Sequence, residues 1–147
     1  MQRRGSIPIM VAALALAVSA AMAQEAAPTA KPAVNDLDAK QAQALIQKNR
    51  DNADFVVLDI RTPAEFAAGH LAGAVNVDFK APDFQSQVAK LDRAKTYLVY
   101  CRTGRRSTLS LPIFERLGVT HVYHLAGGIT AWQREGFPVE APPTPAP

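Results

Sequence analysis

Tyr97-Leu98-Val99-Tyr100-Cys101-Arg102-Thr103-Gly104-Arg105-Arg106-Ser107 is the stretch on which the fold turns. Four apolar residues run straight into a cysteine, and a polar, glycine-containing segment then leads into the helix-competent run Arg105 to Leu117. A short continuous apolar run between polar segments is the pattern of a strand buried on both faces. Cys101 therefore stands at a strand-to-helix turn, and open α/β sheets place their sites just past the carboxyl ends of their strands. The N–H groups at a helix N-terminus carry partial positive charge and favour an anion or thiolate in such a loop. Arg102, Arg105 and Arg106 add three cations, which predicts a depressed thiol pKa, and Gly104 permits a φ above zero and close approach to a bound group. A lone cysteine is most often a small buried hydrophobe. Three arginines around a glycine turn do not suit an inert site.

Working outward, Phe55 to Ile60 is a second apolar run, Val75 to Val77 and Val122-Tyr123 are shorter ones, and Val34 to Leu37 supplies a candidate edge. Between them lie helix-competent stretches: roughly 38 to 50, with Asp38 and Gln41 spaced as a capping box, then Pro63 to Ala68, Asp83 to Leu91, and Ile129 to Arg134. Strands alternating with helices predict an α/β domain with a mostly parallel central sheet and helices on both faces. Pro112 falls inside the helix that follows the cysteine loop, where it removes the hydrogen bond to the Thr108 carbonyl and is expected to kink or shorten that helix.

The 147 residues carry 16 Lys+Arg against 13 Asp+Glu, and 20% are charged. This near-balance argues against a nucleic-acid partner, which calls for a dense basic face. Residues 1–23 stand apart. Arg3 and Arg4 precede the apolar run Ile7 to Val18, and Ala21-Met22-Ala23 forms an A-x-A site before Gln24. The expectation is a cleaved export signal, a periplasmic or secreted product, and no stable membrane anchor after cleavage, since the apolar run is short and no second one follows. Removal of the signal takes all three methionines and leaves Cys101 as the only sulfur, so no internal disulfide can form. Residues 24–33 read as a flexible linker and 138–147, with five prolines, as a Pro-rich tail. The domain spans 34–137.

Four segments of that domain, in order, resemble the signatures of single-domain rhodaneses, the sulfurtransferases. Asp59-Ile60-Arg61-Thr62-Pro63-Ala64-Glu65-Phe66 resembles the first, and Gly69-His70-Leu71-Ala72-Gly73-Ala74-Val75-Asn76-Val77 the second. Cys101 to Ser107 is similar to the catalytic loop, and Leu125-Ala126-Gly127-Gly128-Ile129-Thr130-Ala131-Trp132 to the closing Gly-Gly-helix element. The resemblance implies a rhodanese-like fold with Cys101 as sulfur acceptor, N–H groups of the loop from Arg102 to Arg106 around its sulfur, and Arg106 closing the loop. It implies nucleophilic catalysis through a Cys101 persulfide, from a small anionic donor such as thiosulfate to cyanide, a thiol or a protein acceptor. No metal or organic cofactor is required.

Asp59, Arg61, Glu65 and His70 are expected to support the site. Arg61 and Glu65 lie four apart at a helix start, the spacing of a local ion pair, and Asp59 is the one expected to touch the site's hydrogen bonds. His70 reads as a hydrogen-bonded structural histidine, because in the resembled family the thiolate is prepared by its electrostatic setting. His121 and His124 flank two apolar residues and make no convincing metal site. Trp132 reads as a core anchor. Two other functions compete. Cysteine-dependent phosphatases or arsenate reductases use a C-x5-R loop, whereas only four residues separate Cys101 from Arg106, so the shorter loop favours a single sulfur over a tetrahedral phosphoryl group. A persulfide carrier or interaction module with little thiosulfate turnover is the other.

Overall fold

The computed structural model describes residues 34–141, so the expected export signal over 1–23, the expected linker over 24–33 and residues 142–147 of the expected tail lie outside the described residues. Chain order is β1 (Asn35–Leu37), α1 (Ala39–Lys48), β2 (Phe55–Asp59), α2 (Pro63–Ala67), β3 (Val75–Asn76), α3 (Phe84–Ala89), β4 (Thr96–Tyr100), α4 (Arg105–Arg116), β5 (Val122–Leu125) and α5 (Gly128–Arg134). The strands form one sheet in the order β1-β5-β4-β2-β3, with every neighbouring pair parallel.

Local chemistry sets the element ends. Asp38 accepts a hydrogen bond from the Gln41 N–H at 2.8 Å while its own N–H donates to Gln41 Oε1 at 3.0 Å, the reciprocal cap predicted from the spacing. Thr62 and Glu65 build a second capping box at α2, with Pro63 in the first turn. Alternation along the strands divides the core between two faces. Leu58, Tyr97, Val99 and Val122 pack with Phe84 and Val88 of α3 and Phe114 of α4. Val57, Leu98, Tyr100 and Leu125 pack with Ala39 and Ala42 of α1 and Ile129 and Trp132 of α5. Each large side chain so buried contributes about 1.5–3 kcal/mol relative to exposure. The fold is thus an α/β sheet with helices on both faces, and Trp132 is a core anchor whose Nε1–H donates to the Pro138 carbonyl at 2.9 Å.

Two expectations need amendment. Helix α4 is not shortened by Pro112 and continues to Arg116, because Pro112 and Thr108 both lie on its exposed side, where water can serve the freed carbonyl. The chain beyond residue 137 is also tied on: Glu140 pairs with His70 in an antiparallel bridge, through N–H···O bonds of 2.8 and 2.7 Å.

The strand order locates the crevice. From β2 the chain crosses to β3 on one side, and from β4 it crosses to β5 on the other, so the loops leaving the adjacent carboxyl ends of β2 and β4 diverge. Ligands bind at such reversals. Here they carry Arg61-Thr62 and Cys101.

Candidate active site

Cys101 follows directly on β4 and is 1% exposed, with its sulfur turned back under the loop that it opens. Gly104 N–H donates to Sγ at 3.2 Å, and the N–H groups of Thr103 and Ser107 also point at the sulfur. The Ser107 hydroxyl lies 3.4 Å from it. Burial pushes the thiol pKa up. The hydrogen bonds from the Ser107 side chain and from the three N–H groups outweigh that, and the pKa is lowered overall. The direction agrees with the reading of the sequence, and its cause is more specific: oriented N–H groups and one hydroxyl bear on the sulfur, while Arg102 and Arg105 are exposed.

The loop can fold this tightly because of two glycines. Gly104 has φ +97°, and a Cβ there would run into the Ala126 carbonyl. Gly128 has φ +60°, and its Cβ would sit 2.5 Å from the carbonyl oxygens of Cys101 and Arg102. That close approach lets the first turn of α5 donate to the loop: Ile129 N–H to the Cys101 carbonyl at 2.9 Å, and Thr130 N–H to the Arg102 carbonyl at 3.0 Å.

Arg106, at the end of the loop, makes a two-pronged contact with Glu65 at 2.7 and 2.8 Å. The expected Arg61–Glu65 pair is not formed. Glu65, at the third position of α2, folds back to cap Thr62 and meets Arg106 across the crevice, which holds its pKa down at about 2. Arg61 instead turns toward the end of β2. Its Nε lies 3.0 Å from both oxygens of Asp59 and its Nη2 is 2.6 Å from Oδ2, and Nη2 also donates to the Gly69 carbonyl at 2.7 Å. Asp59 is fully buried and accepts in addition from the Tyr100 hydroxyl at 2.6 Å, so a buried carboxylate draws the nearest cation inward. Asp59 and Arg61 brace the loop beside the site without touching the sulfur. His70 stacks on Phe66 with centroids 3.8 Å apart, and its Nδ1 lies 3.0 Å from the Phe66 carbonyl.

Beside the loop is an open cleft of ≈ 660 Å³ lined by Thr62, Glu65, Lys80 and Thr130 and by Arg102, Thr103, Arg105 and Arg106 of the loop and the start of α4. Among the described residues Lys80, Arg102 and Arg105 have no ion-pair partner, so the mouth presents cations to an incoming anion. Lys80 was not singled out in the sequence, since it lies far from the cysteine loop along the chain. Neither was His124. It is 2% exposed, and its Nε2 lies 2.7 Å from Ser107 Oγ. Alternation in β5 was the available signal, because it turns His124 to the same face as Val122, the face on which Cys101 also packs.

With this geometry in place, the relatives can be compared. The family described as "Rhodanese-like domain" matches residues 38–135. A protein named "Sulfurtransferase" from Allochromatium vinosum is 33% identical over 109 residues, covering 74% of this chain and 97% of its own length. The Arabidopsis thaliana "Thiosulfate sulfurtransferase 16, chloroplastic" is 36% identical over 94 residues, covering 57% of this chain and 78% of its own. Among solved structures, a rhodanese-related protein from Thermoplasma volcanium superimposes with a TM-score of 0.62 at 28% identity, over 74% of this chain and 99% of that one.

Proposed function

The chain belongs to the rhodanese-like domain family, and from that premise we propose that it is an exported thiosulfate sulfurtransferase working through a persulfide on Cys101. Sulfurtransferase relatives place it among the transferases of this family; the donor, the acceptor and the compartment belong to the proposal. The observation that carries the chemistry is the buried Cys101 sulfur facing three N–H groups and a hydroxyl in a loop closed by Arg106–Glu65.

In the first half-reaction the thiolate attacks the outer sulfur of thiosulfate. A new S–S bond forms at Cys101, the S–S bond of the donor breaks, and sulfite leaves with its electron pair. The N–H groups of Thr103, Gly104 and Ser107 hold the negative charge that passes to the persulfide. In the second, cyanide or a thiolate attacks the outer sulfur and the Cys101 thiolate returns as leaving group. Lys80, Arg102 and Arg105 at the cleft mouth favour a dianionic donor. A loop with four residues between Cys101 and Arg106 supports this reading over phosphoryl chemistry, for which a longer ring of donors is needed.

Intact mass spectrometry of the reduced protein tests it. Thiosulfate should add one sulfur, about 32 Da, cyanide should remove it, and Cys101→Ser should abolish the gain. A free and alkylatable Cys101 that gains nothing overturns thiosulfate as donor. Export rests on residues 1–23, and the same spectrum of protein recovered from outside the cytoplasm should show a chain beginning at Gln24. A chain retaining Met1 would refute cleavage.

A further inference from the structure

The Ser107 hydroxyl has one proton and three neighbours. Cys101 Sγ is at 3.4 Å, the Gly104 carbonyl at 2.9 Å and His124 Nε2 at 2.7 Å. On the far side of the ring, His124 Nδ1 lies 2.8 Å from Asp36 Oδ1. Parallel pairing produces this line-up: His124 on β5 is opposite Val99 of β4 on one side and Asp36 of β1 on the other. An ionised carboxylate only accepts, so it fixes the proton of a neutral ring on Nδ1 and leaves Nε2 as an acceptor toward Ser107. Cys101, Ser107 and His124 are all at most 2% exposed, so water does not intervene readily.

We propose that Asp36, His124 and Ser107 form a proton relay that receives the proton of Cys101 when the thiol ionises, with Asp36 setting the ring's tautomer. This rests on Cys101 being the reactive nucleophile. The S–H bond breaks with its electron pair left on sulfur, and the proton binds Ser107 Oγ. The hydroxyl's own proton passes to His124 Nε2, leaving a thiolate, an intact hydroxyl and an imidazolium whose Nδ1–H remains on Asp36. The hydroxyl then donates to the thiolate. The proton stays on His124 while the persulfide waits and returns along the same path when the free thiol re-forms, so no charge need be expelled through the buried loop. His124 acts through Ser107 and is a positioning residue. The charged and titratable groups facing the relay are Asp36 from β1, Cys101 at the end of β4 and, across the cradle, Arg106 of α4, which is paired to Glu65 of α2.

The test is the pH dependence of Cys101 alkylation by iodoacetamide, which needs neither donor nor acceptor. His124→Gln retains a side chain able to bond Ser107 but takes up no proton. Its profile should move up by about one pH unit, an alkylation rate about tenfold lower on the rising limb, and Asp36→Asn should move it the same way by less. Nitrogen NMR of the wild-type ring supplies a check that needs no variant: His124 should hold its Nε2 proton through the pH range in which Cys101 is a thiolate, and should give it up at lower pH once Cys101 is alkylated. A ring that stays neutral across the thiol titration, or an unmoved profile in His124→Gln, overturns the relay and leaves His124 as a bracket between β5 and α4. A protein that shows the coupled titration yet accepts no sulfur from thiosulfate retains the relay and loses the proposed donor.

Discussion

Asp59–Arg61 and Glu65–Arg106 bring the same two groups together at nearly the same distance, 2.6 and 2.7 Å between closest atoms. Their settings differ. Asp59 and Arg61 are two residues apart, side-chain exposures are 0% and 7%, and their further hydrogen bonds run inside the protein, to Tyr100 and the Gly69 carbonyl. Glu65 and Arg106 are 41 residues apart, reach across the crevice from different helices, and are 30% and 18% exposed. The first pair fixes a loop to the end of one strand. The second joins the two loops that diverge at the reversal of strand order, at the lip of the reactive site. A sealed pair costs desolvation and is damaging to break by halves, whereas a half-open one transmits position between elements and tolerates partial loss.

Asp59→Ala is the severest way to break the contrast. It leaves the Arg61 guanidinium buried without its counter-ion and Tyr100 without its acceptor, and should lower unfolding stability by about 3–5 kcal/mol in a urea titration. Arg106→Ala should shift the balance the other way, with a stability loss of about 1–2 kcal/mol but sulfur transfer reduced on the order of 10²-fold as the loop loses its closure. If both variants lost stability equally with transfer unaffected, the division of labour would be wrong. Glu65→Gln preserves the helix cap but not the charge, and should cost about 1 kcal/mol at neutral pH after allowance for solvent screening. Its sign with pH follows from the depressed carboxyl. The folded value of about 2 lies below the ordinary 4.5, so the ion pair's contribution is complete above about 4.5 and fades as pH falls toward 2. Wild-type and Glu65→Gln stabilities should therefore converge over that interval. Lys40→Ala, which removes an exposed pair with Glu135 at 3.3 Å, sets the floor and should change stability by less than about 0.5 kcal/mol.

Much of this architecture was legible from residue order because it depends on near neighbours. The apolar runs at 55–60 and 97–100, the Asp38–Gln41 cap and the glycine after Cys101 act within a few positions, and each is found in the structure. The partners of Glu65 and His124 were not, because they depend on strand order, and that of Arg61 was not, because it depends on burial. Spacing four apart offered Arg61–Glu65 as a pair on a common helix face. In fact Arg61 precedes the helix, and the buried carboxylate behind it is the stronger attractor. His124 looked unremarkable beside apolar residues, since nothing local places β5 between Asp36 and the loop that holds Ser107. The shortening expected at Pro112 is absent for a related reason: its penalty depends on which side of α4 faces water.

The Cys101 and Arg102 carbonyls are held by the first turn of α5, and β5 must separate β4 from β1 before Asp36 meets His124 across 88 residues of sequence. The site is consequently a late product of synthesis and folding. A nascent chain that has exposed Cys101 but not yet Gly128 to Thr130 carries a thiol without its clamp, and contacts of such long sequence separation form slowly. The interval in which this cysteine is accessible and uncradled is its period of greatest vulnerability to stray oxidants, and it closes only with the arrival of α5.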